Sequence, residues 1–149
     1  VDARQQPTYY YYDAAGRTYC TTDPNGSSVY YEYDLGGQRT ALVDGEGNAV
    51  YFEYTVGGQT RSDTNAEGDT TYRQHDLAGR QTVRTDPDGR VTYYSHDPAG
   101  RMTTRQQLGD GAAYFAYDEN GNRILMEDVE GTAYWTYDSV DRLIKEEDL

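Results

Sequence analysis

Apolar and aromatic residues come in short blocks along this chain, separated by polar corners that contain glycine. One kind of block is rich in Tyr, Val and Thr: SSVYYEY (27–33), NAVYFEY (48–54), RVTYYSH (90–96) and TAYWTY (132–137). A second, more polar kind alternates with it: RTYCTT (17–22), RQTVRT (80–85) and RMTTRQ (101–106). Blocks of about six or seven residues, rich in β-branched and aromatic side chains, predict strands. Sustained apolar spacing of the helical kind is absent until Val140–Leu149, where the repeat runs out and a helix is the expectation. The pattern predicts an antiparallel meander of about a dozen strands.

The blocks keep phase. Tyr12-Asp13, Tyr33-Asp34, Tyr54-Thr55, His75-Asp76, His96-Asp97 and Tyr117-Asp118 follow one another at a period of 21, and Tyr137-Asp138 comes after 20. Glycine stands three residues beyond Asp in one set of corners: Asp13–Gly16, Asp34–Gly37, Asp76–Gly79, Asp97–Gly100 and Asp118–Gly121, with Thr55 to Gly58 as a variant and Asp141 breaking the series. A second set lies midway, at Asp23–Gly26, Asp44–Gly47, Asp86–Gly89 and Asp128–Gly131, with NAEG at 65–68 and an irregular QLGDG at 107–111. A type I turn favours Asp or Asn first, Pro second and Gly fourth. The leading side chain caps backbone amides and the glycine takes the left-handed conformation of a bulged hairpin. These carboxylates and glycines are therefore structural turn residues.

The odd repeat length imposes a further condition. With two identical odd-numbered loops, strict alternation would turn each successive repeat to the opposite face of the sheet. One corner per repeat should have an even-numbered loop, or one strand should carry a bulge. The residue missing after Gly131 should appear as a local irregularity. Equivalent tyrosines, Tyr30, Tyr51, Tyr72, Tyr93, Tyr114 and Tyr134, form an aromatic ladder two strands apart, roughly 10 Å, too far for direct stacking. Arg and Thr of the intervening strands should fill the gaps. The column Tyr31, Phe52, Arg73, Tyr94, Phe115 and Trp135 points to the other face. One face should turn to a core or enclosed space, the other being shielded by long polar side chains.

Composition changes this picture in one respect. Leu, Ile, Val and Phe make up only about 13 % of 149 residues with a net charge of −13, a balance normally met in disordered chains. Seventeen regularly spaced tyrosines oppose that reading, because each can bury a ring while its hydroxyl stays wet. An aromatic sheet surface is expected to replace an aliphatic core. The acidity excludes a nucleic-acid partner. One cysteine forms no intrachain disulfide, no apolar run reaches membrane-spanning length, and the start VDARQQP carries no targeting signal.

The unit HDLAGRQTVRTDPDGRVTYYSHDPAGR (75–101) resembles the YD repeat, also called the RHS repeat, whose pattern is Tyr-Asp-x-x-Gly-Arg, a Pro-Asp-Gly turn, then Tyr-x-Tyr-Asp. The resemblance runs from about Tyr9 to Arg142, with His75 and His96 in place of the tyrosine. It implies the architecture of bacterial RHS proteins, toxin-complex subunits and teneurins, in which a long spiralling β-sheet winds into a hollow shell. In the bacterial proteins that shell encloses a toxic C-terminal polypeptide. The expected fold class is all-β, a meander of β-hairpin repeats forming a curved strip or partial β-solenoid. The expected organisation is one array over 1–149, six full repeats at 12–136 with partial repeats at 9–11 and 137–149, cut from a larger protein. The expected function is a scaffold that encapsulates or displays a toxin, secreted or at the cell surface. Its partners would be the remainder of the parent chain and, through sheet edges, further copies.

Other chemistry is poorly served by these residues. His75 and His96 occupy the tyrosine position and lack a third metal ligand in phase. Cys20 has no histidine in its own repeat and reads as an inert thiol. Asp44-x-Glu46-x-Asn48 and Asp118-x-Asn120-x-Asn122 alternate like calcium ligands, yet neither has the glycine and distal glutamate of an EF-hand loop. No cofactor and no catalytic group are expected, since every candidate acid recurs once per repeat. The alternative from a different class is a carbohydrate-binding or adhesion module that stacks sugars on exposed tyrosine columns.

Overall fold

The computed structural model describes residues 7–149. It is all-β, with fourteen strands that each lie beside their neighbours in sequence, antiparallel in every described pair. The strands are β1 (Tyr9–Tyr12), β2 (Thr18–Thr22), β3 (Ser28–Tyr33), β4 (Arg39–Val43), β5 (Ala49–Tyr54), β6 (Thr60–Thr64) and β7 (Thr70–His75). They continue as β8 (Gln81–Thr85), β9 (Val91–His96), β10 (Met102–Gln107), β11 (Gly111–Tyr117), β12 (Arg123–Glu127), β13 (Thr132–Tyr137) and β14 (Leu143–Asp148). Two compact units divide the chain, one ending at Tyr72 and the other running Arg73–Leu149.

Both sets of corners use the same turn. At Asp13–Arg17 the Asp13 N–H donates to the Arg17 carbonyl (2.9 Å) and the Gly16 N–H to the Asp13 carbonyl (3.0 Å). At Asp23–Ser27 the equivalent bonds are 2.8 and 3.0 Å. The parity condition is met instead by a bulge that follows only the Tyr-Asp corners. Tyr12 faces Thr18 while Tyr11 faces Cys20, leaving Tyr19 as the extra residue. The same slip leaves Thr40, Arg61, Thr103, Ile124 and Ile144 unpaired. One extra residue per repeat restores the faces, so Tyr30 faces Cys20 and Tyr51 faces Ala41.

The two irregular corners expected from the sequence are present. At Asp128–Gly131 the Asp128 N–H donates to the Gly131 carbonyl, one residue earlier than in other corners. Strands β12 and β13 still pair Leu125 with Tyr134. At 107–111 Gln107 faces Gly111 across a three-residue loop, with Gly109 and Gly111 at φ of 92° and 101°.

The chain end corrects one expectation. Val140–Leu149 contains no helix; Leu143–Asp148 is strand β14, paired with β13. The corner persists there because Asp141 itself takes the left-handed conformation, φ 61°, and its N–H donates to the Asp138 carbonyl. Asp is among the few residues that tolerate this region. Tertiary pairing then outweighs the local helical spacing: Trp135 donates its indole N–H to Glu146 Oε1 (2.9 Å), and the Leu149 N–H bonds the Thr132 carbonyl (2.8 Å).

A second correction concerns the core. The buried residues are small: Cys20, Ala41 and Ser62 at a spacing of 21, and Thr71, Thr92 and Ala113 at the same spacing. The ladder tyrosines do not form a substitute core. Tyr30, Tyr51, Tyr72, Tyr93, Tyr114 and Tyr134 are 40–54 % exposed. A ring on a single sheet layer covers a small residue across the strand and keeps its own outer face in water. Turn glycines matter in this thin structure, since little packing is available to hold a strained corner. Gly100 has φ +87°, and Gly100→Ala is expected to cost about 1–2 kcal/mol, a fall in thermal midpoint of about 2–8 °C by circular dichroism.

Candidate functional site

The feature that recurs with the chemistry of a site is the Tyr-Asp corner, and its parts reach from one repeat to the next. Asp13 Oδ1 accepts the N–H groups of Ala15 and Arg17, both at 2.9 Å, which caps the turn. Its Oδ2 accepts Arg17 Nε at 2.8 Å. That bond aims the guanidinium onward: Arg17 Nη1 donates to the Asp34 carbonyl at 3.0 Å, and the group lies 4.8 Å from the Tyr33 ring centroid. Tyr33 reaches back, its hydroxyl donating to the Thr18 carbonyl at 2.7 Å. Each residue of the Tyr-Asp-x-x-Gly-Arg unit thus has a partner: Asp caps and orients, Gly turns, Arg grips the next repeat and Tyr closes the loop.

The staple is repeated. Arg80 and Arg101 each hold their own Asp76 and Asp97 through Nε and donate Nη1 to the carbonyls of Asp97 (2.8 Å) and Asp118 (2.9 Å). Arg101 stacks on Tyr117 at 4.8 Å, and Tyr117 donates to the Met102 carbonyl at 2.9 Å. Tyr54 and Tyr137 make the corresponding bonds to Arg39 and Arg123. A planar guanidinium suits this double task of hydrogen bonding and ring stacking.

Where Arg is replaced, the staple is weaker. Gln38 sends its amide only to the Gly58 carbonyl at 3.4 Å. Thr55 and Gln59 bond each other through their side chains. Asn122 bonds Asp118 Oδ2 (3.0 Å) and Asp141 Oδ1 (2.8 Å). Gln38→Arg should restore the consensus grip, raising stability by about 0.5–1 kcal/mol in a denaturant titration.

The carboxylates of the corners are held by these donors. Asp13 and Asp76 lie below the usual carboxylate range, chiefly through the backbone N–H of Arg17 and of Arg80. For Asp44 and Asp118 the leading cause is the side-chain amide of Asn48 or Asn122, and for Asp138 it is the backbone N–H of Arg142. At Asp97 partial desolvation pushes upward and is outweighed by the bonds and charge of Arg101. A carboxyl depressed on folding gives stability that is present above its unfolded pKa and lost as pH falls through the folded value. Thermal midpoints should therefore hold from pH 7 to 5 and fall below about pH 4. Asp76→Asn should reduce that acid-dependent fall; an unchanged midpoint down to pH 3 would contradict the linkage.

The sequence-derived candidates are placed as follows. Asp23, Asp34, Asp44 and Asp128 each accept backbone N–H groups of their own corner. Asp86 departs from this. Its Oδ1 pairs with Arg84 Nη2 at 2.7 Å, and Arg90 N–H donates to Asp88 instead. The loop-like triplets at Asp44 and Asp118 spend their carboxylate oxygens on turn donors. Cys20 is buried opposite Tyr30. Among the described residues, no group of three or more His, Cys, Asp or Glu could hold a metal.

Of the residue types expected in the gaps of the Tyr30 ladder, Thr64 and Thr104 lie there, opposite Tyr51 and Tyr114, whereas Arg17, Arg39, Arg101 and Arg123 do not. They lie on the opposite face, over Tyr33, over Tyr31 and Phe52 (Arg39), over Tyr117, and over Trp135 (Arg123, 4.4 Å). The ladder's cross-strand neighbours include Cys20, Ala41, Ser62, Val83 and Leu125. Sequence reasoning missed the inter-repeat reach of Arg17. Its signal was available as Arg four residues after Asp and sixteen before the next motif tyrosine.

The RHS Repeat family model matches residues 12–49 and 75–113, just over half of the chain. The chain belongs to the RHS repeat family. Solved structures share the fold at 17 % identity. The TcdB2-TccC3-Cdc42 crystal structure superposes with a TM-score of 0.79 over 93 % of this chain and 9 % of that one. The Tc holotoxin pore of Photorhabdus luminescens gives 0.78 over 95 % and 9 %. TcdB2-TccC3 without its hypervariable C-terminal region gives 0.79 over 93 % and 9 %. This RHS repeat chain thus spans about one-tenth of the length of the structures it matches. Comparison with curated proteins gives no significant match.

Proposed function

We propose that this RHS repeat chain is a scaffold segment of a β-shell that, in its parent protein, encloses or displays a C-terminal effector. The observation that carries the reading is the staple. Arg17, Arg80 and Arg101 bind main-chain carbonyls of the following repeat, so each repeat supplies the grip for its successor without a shared core. That is the coupling a repeat array needs in order to extend. The fold likeness to TcdB2-TccC3 structures, of which this chain would be a short stretch, supports the same reading. Residues 1–149 would act as one array, with the flanking parts of the parent as partners, in a secreted or surface-exposed protein.

Protease protection of the parent protein tests this. Sequence C-terminal to the array should resist cleavage in native buffer and become sensitive when urea opens the repeats. Cleavage at the same rate in both conditions would overturn encapsulation while leaving the scaffold geometry untouched.

A further inference from the structure

We propose that the ladder face over β4 is a docking groove for an extended segment of a separate polypeptide that carries two arginines with one residue between them. The inference goes beyond the shell reading and holds whether or not an effector is enclosed.

The opposite face of the same strands shows how this chain seats a guanidinium. There Arg39 of β4 lies over two rings, 5.8 Å from the centroid of Tyr31 in β3 and 5.5 Å from that of Phe52 in β5. The ladder face offers comparable surroundings without the cation. Ala41 of β4 stands opposite both Glu32 of β3 and Tyr51 of β5. It is 1 % exposed, whereas Tyr51 is 54 % exposed and Glu32 is open to solvent. A carboxylate and a ring thus border one small floor residue, which leaves room for an incoming side chain. Two residues along β4, Val43 stands opposite Tyr30, which is also exposed. Beside Tyr30 an open cleft of about 480 Å³ runs between the corners at 26–28 and 44–47, and Glu46 lies on its wall.

Charge and spacing decide the occupant. Among the described residues no cation lies over Tyr30 or Tyr51. Neither Glu32 nor Glu46 makes an ion pair there. The nearby arginines are placed elsewhere: Arg17 is held in its staple, Arg39 is on the far face, and Arg61 is the bulge residue of β6, two strands from β4. The open face is therefore acidic and aromatic. A guanidinium answers both features at once, because it stacks on a ring while it bonds a carboxylate. Ala41 and Val43 are about 7 Å apart along the strand, the separation of residues i and i+2 in an extended chain, whose side chains point the same way. A segment laid over β4 sets one arginine between Glu32 and Tyr51 and the other between Tyr30 and Glu46.

An NMR titration of the 149-residue chain with the peptide acetyl-Ser-Arg-Thr-Arg-Ser-amide tests this, in about 0.15 M salt to screen the net charge. Amide shifts should concentrate at Ala41, Val43, Glu46 and Tyr51 and saturate with a Kd of about 1 mM. Glu32→Gln and Tyr51→Leu should each weaken binding roughly fivefold. Glu119→Gln, an equal loss of charge at the Asp118–Asn122 corner, should not. The isomer acetyl-Ser-Arg-Arg-Thr-Ser-amide has the same charge but sends its arginines to opposite sides when extended, so it should bind roughly threefold more weakly. Glu32→Gln preserves side-chain shape and reads the carboxylate even where Tyr51→Leu disturbs the fold. Equal weakening by Glu119→Gln, or shifts spread over the acidic corners, would reduce the contact to general charge attraction and overturn the proposal. So would an unchanged Kd in Glu32→Gln, equal binding of the two isomers, or no shifts up to about 10 mM peptide.

Discussion

Inserting one alanine between Thr104 and Arg105 is expected to lower the thermal midpoint by roughly 10 °C, more than any point substitution on the surface of this chain. Strand β10 already carries one extra residue, Thr103, between Met102, opposite His96, and Thr104, opposite Ser95, and the bulge there keeps the following residues on their faces. A second extra residue has no such place, and strict pairing carries Arg105 and the residues after it to the opposite face. Arg105, now opposite Tyr94 and Ala113, would take the place of Gln106, which lies opposite Tyr93 and Ala112. Ala113 is 3 % exposed, and its environment does not survive that exchange. The chain can avoid the flip only by opening a second bulge in β10, which takes another residue out of the ladder. Either route costs on the order of 3–4 kcal/mol. Deletion of Glu46 from the Asp44–Asn48 corner is the control. The Asp128–Gly131 corner already runs one residue short with its strands in register, so a turn absorbs what a strand does not. Circular dichroism melts of the insertion and the deletion separate the cases; equal losses would show that strand register has no special part in setting the faces.

That contrast also marks what the residues reveal before any coordinates. Strand blocks, corners and family were legible because each repeats in phase, and an odd period of 21 requires an even loop or a bulge. Which of the two applies was not legible. Both corner types share the Asx-x-x-Gly pattern and the same turn bonds, and the bulge falls on residues as different as Tyr19, Thr40, Arg61 and Ile124, which share no side-chain chemistry. The carboxylate capping was legible for the same reason as the corners. The Arg84 pairing that diverts Asp86 was not, because it depends on a neighbouring strand end. Reading tyrosine rings as a core failed on a matter of layers: β-pairing determines which residues face each other, but only a second layer buries a ring. The β14 strand was misread because DRLIKEEDL has helical spacing, while its pairing with β13 is non-local.

The staple makes the second large prediction. Arg101→Ala is expected to destabilise the chain by about 2 kcal/mol, since it removes a charge-assisted bond to the Asp118 carbonyl and the stack on Tyr117 and leaves Asp97 without its Nε partner. The ion pair alone does not account for that figure. Arg142 makes the same bond to its own Asp138 at 2.7 Å, and exposed pairs of this kind contribute at most a few tenths of a kcal/mol. Arg142→Ala, measured at a concentration where the chain is monomeric, should therefore cost under about 0.5 kcal/mol. The difference between the two variants isolates what Arg101 contributes across the repeat boundary. Tyr117→Leu should cost about 1–2 kcal/mol through the lost ring face and the unsatisfied Met102 carbonyl. Combined with Arg101→Ala it should cost less than the sum, by about 1 kcal/mol, because both remove one shared contact. The same arginine paired with Tyr114→Leu should be additive, since Tyr114 lies on the opposite face from the stack. Additivity in both cycles would mean that guanidinium and ring are neighbours without being partners, and the grip between repeats would then rest on strand pairing alone.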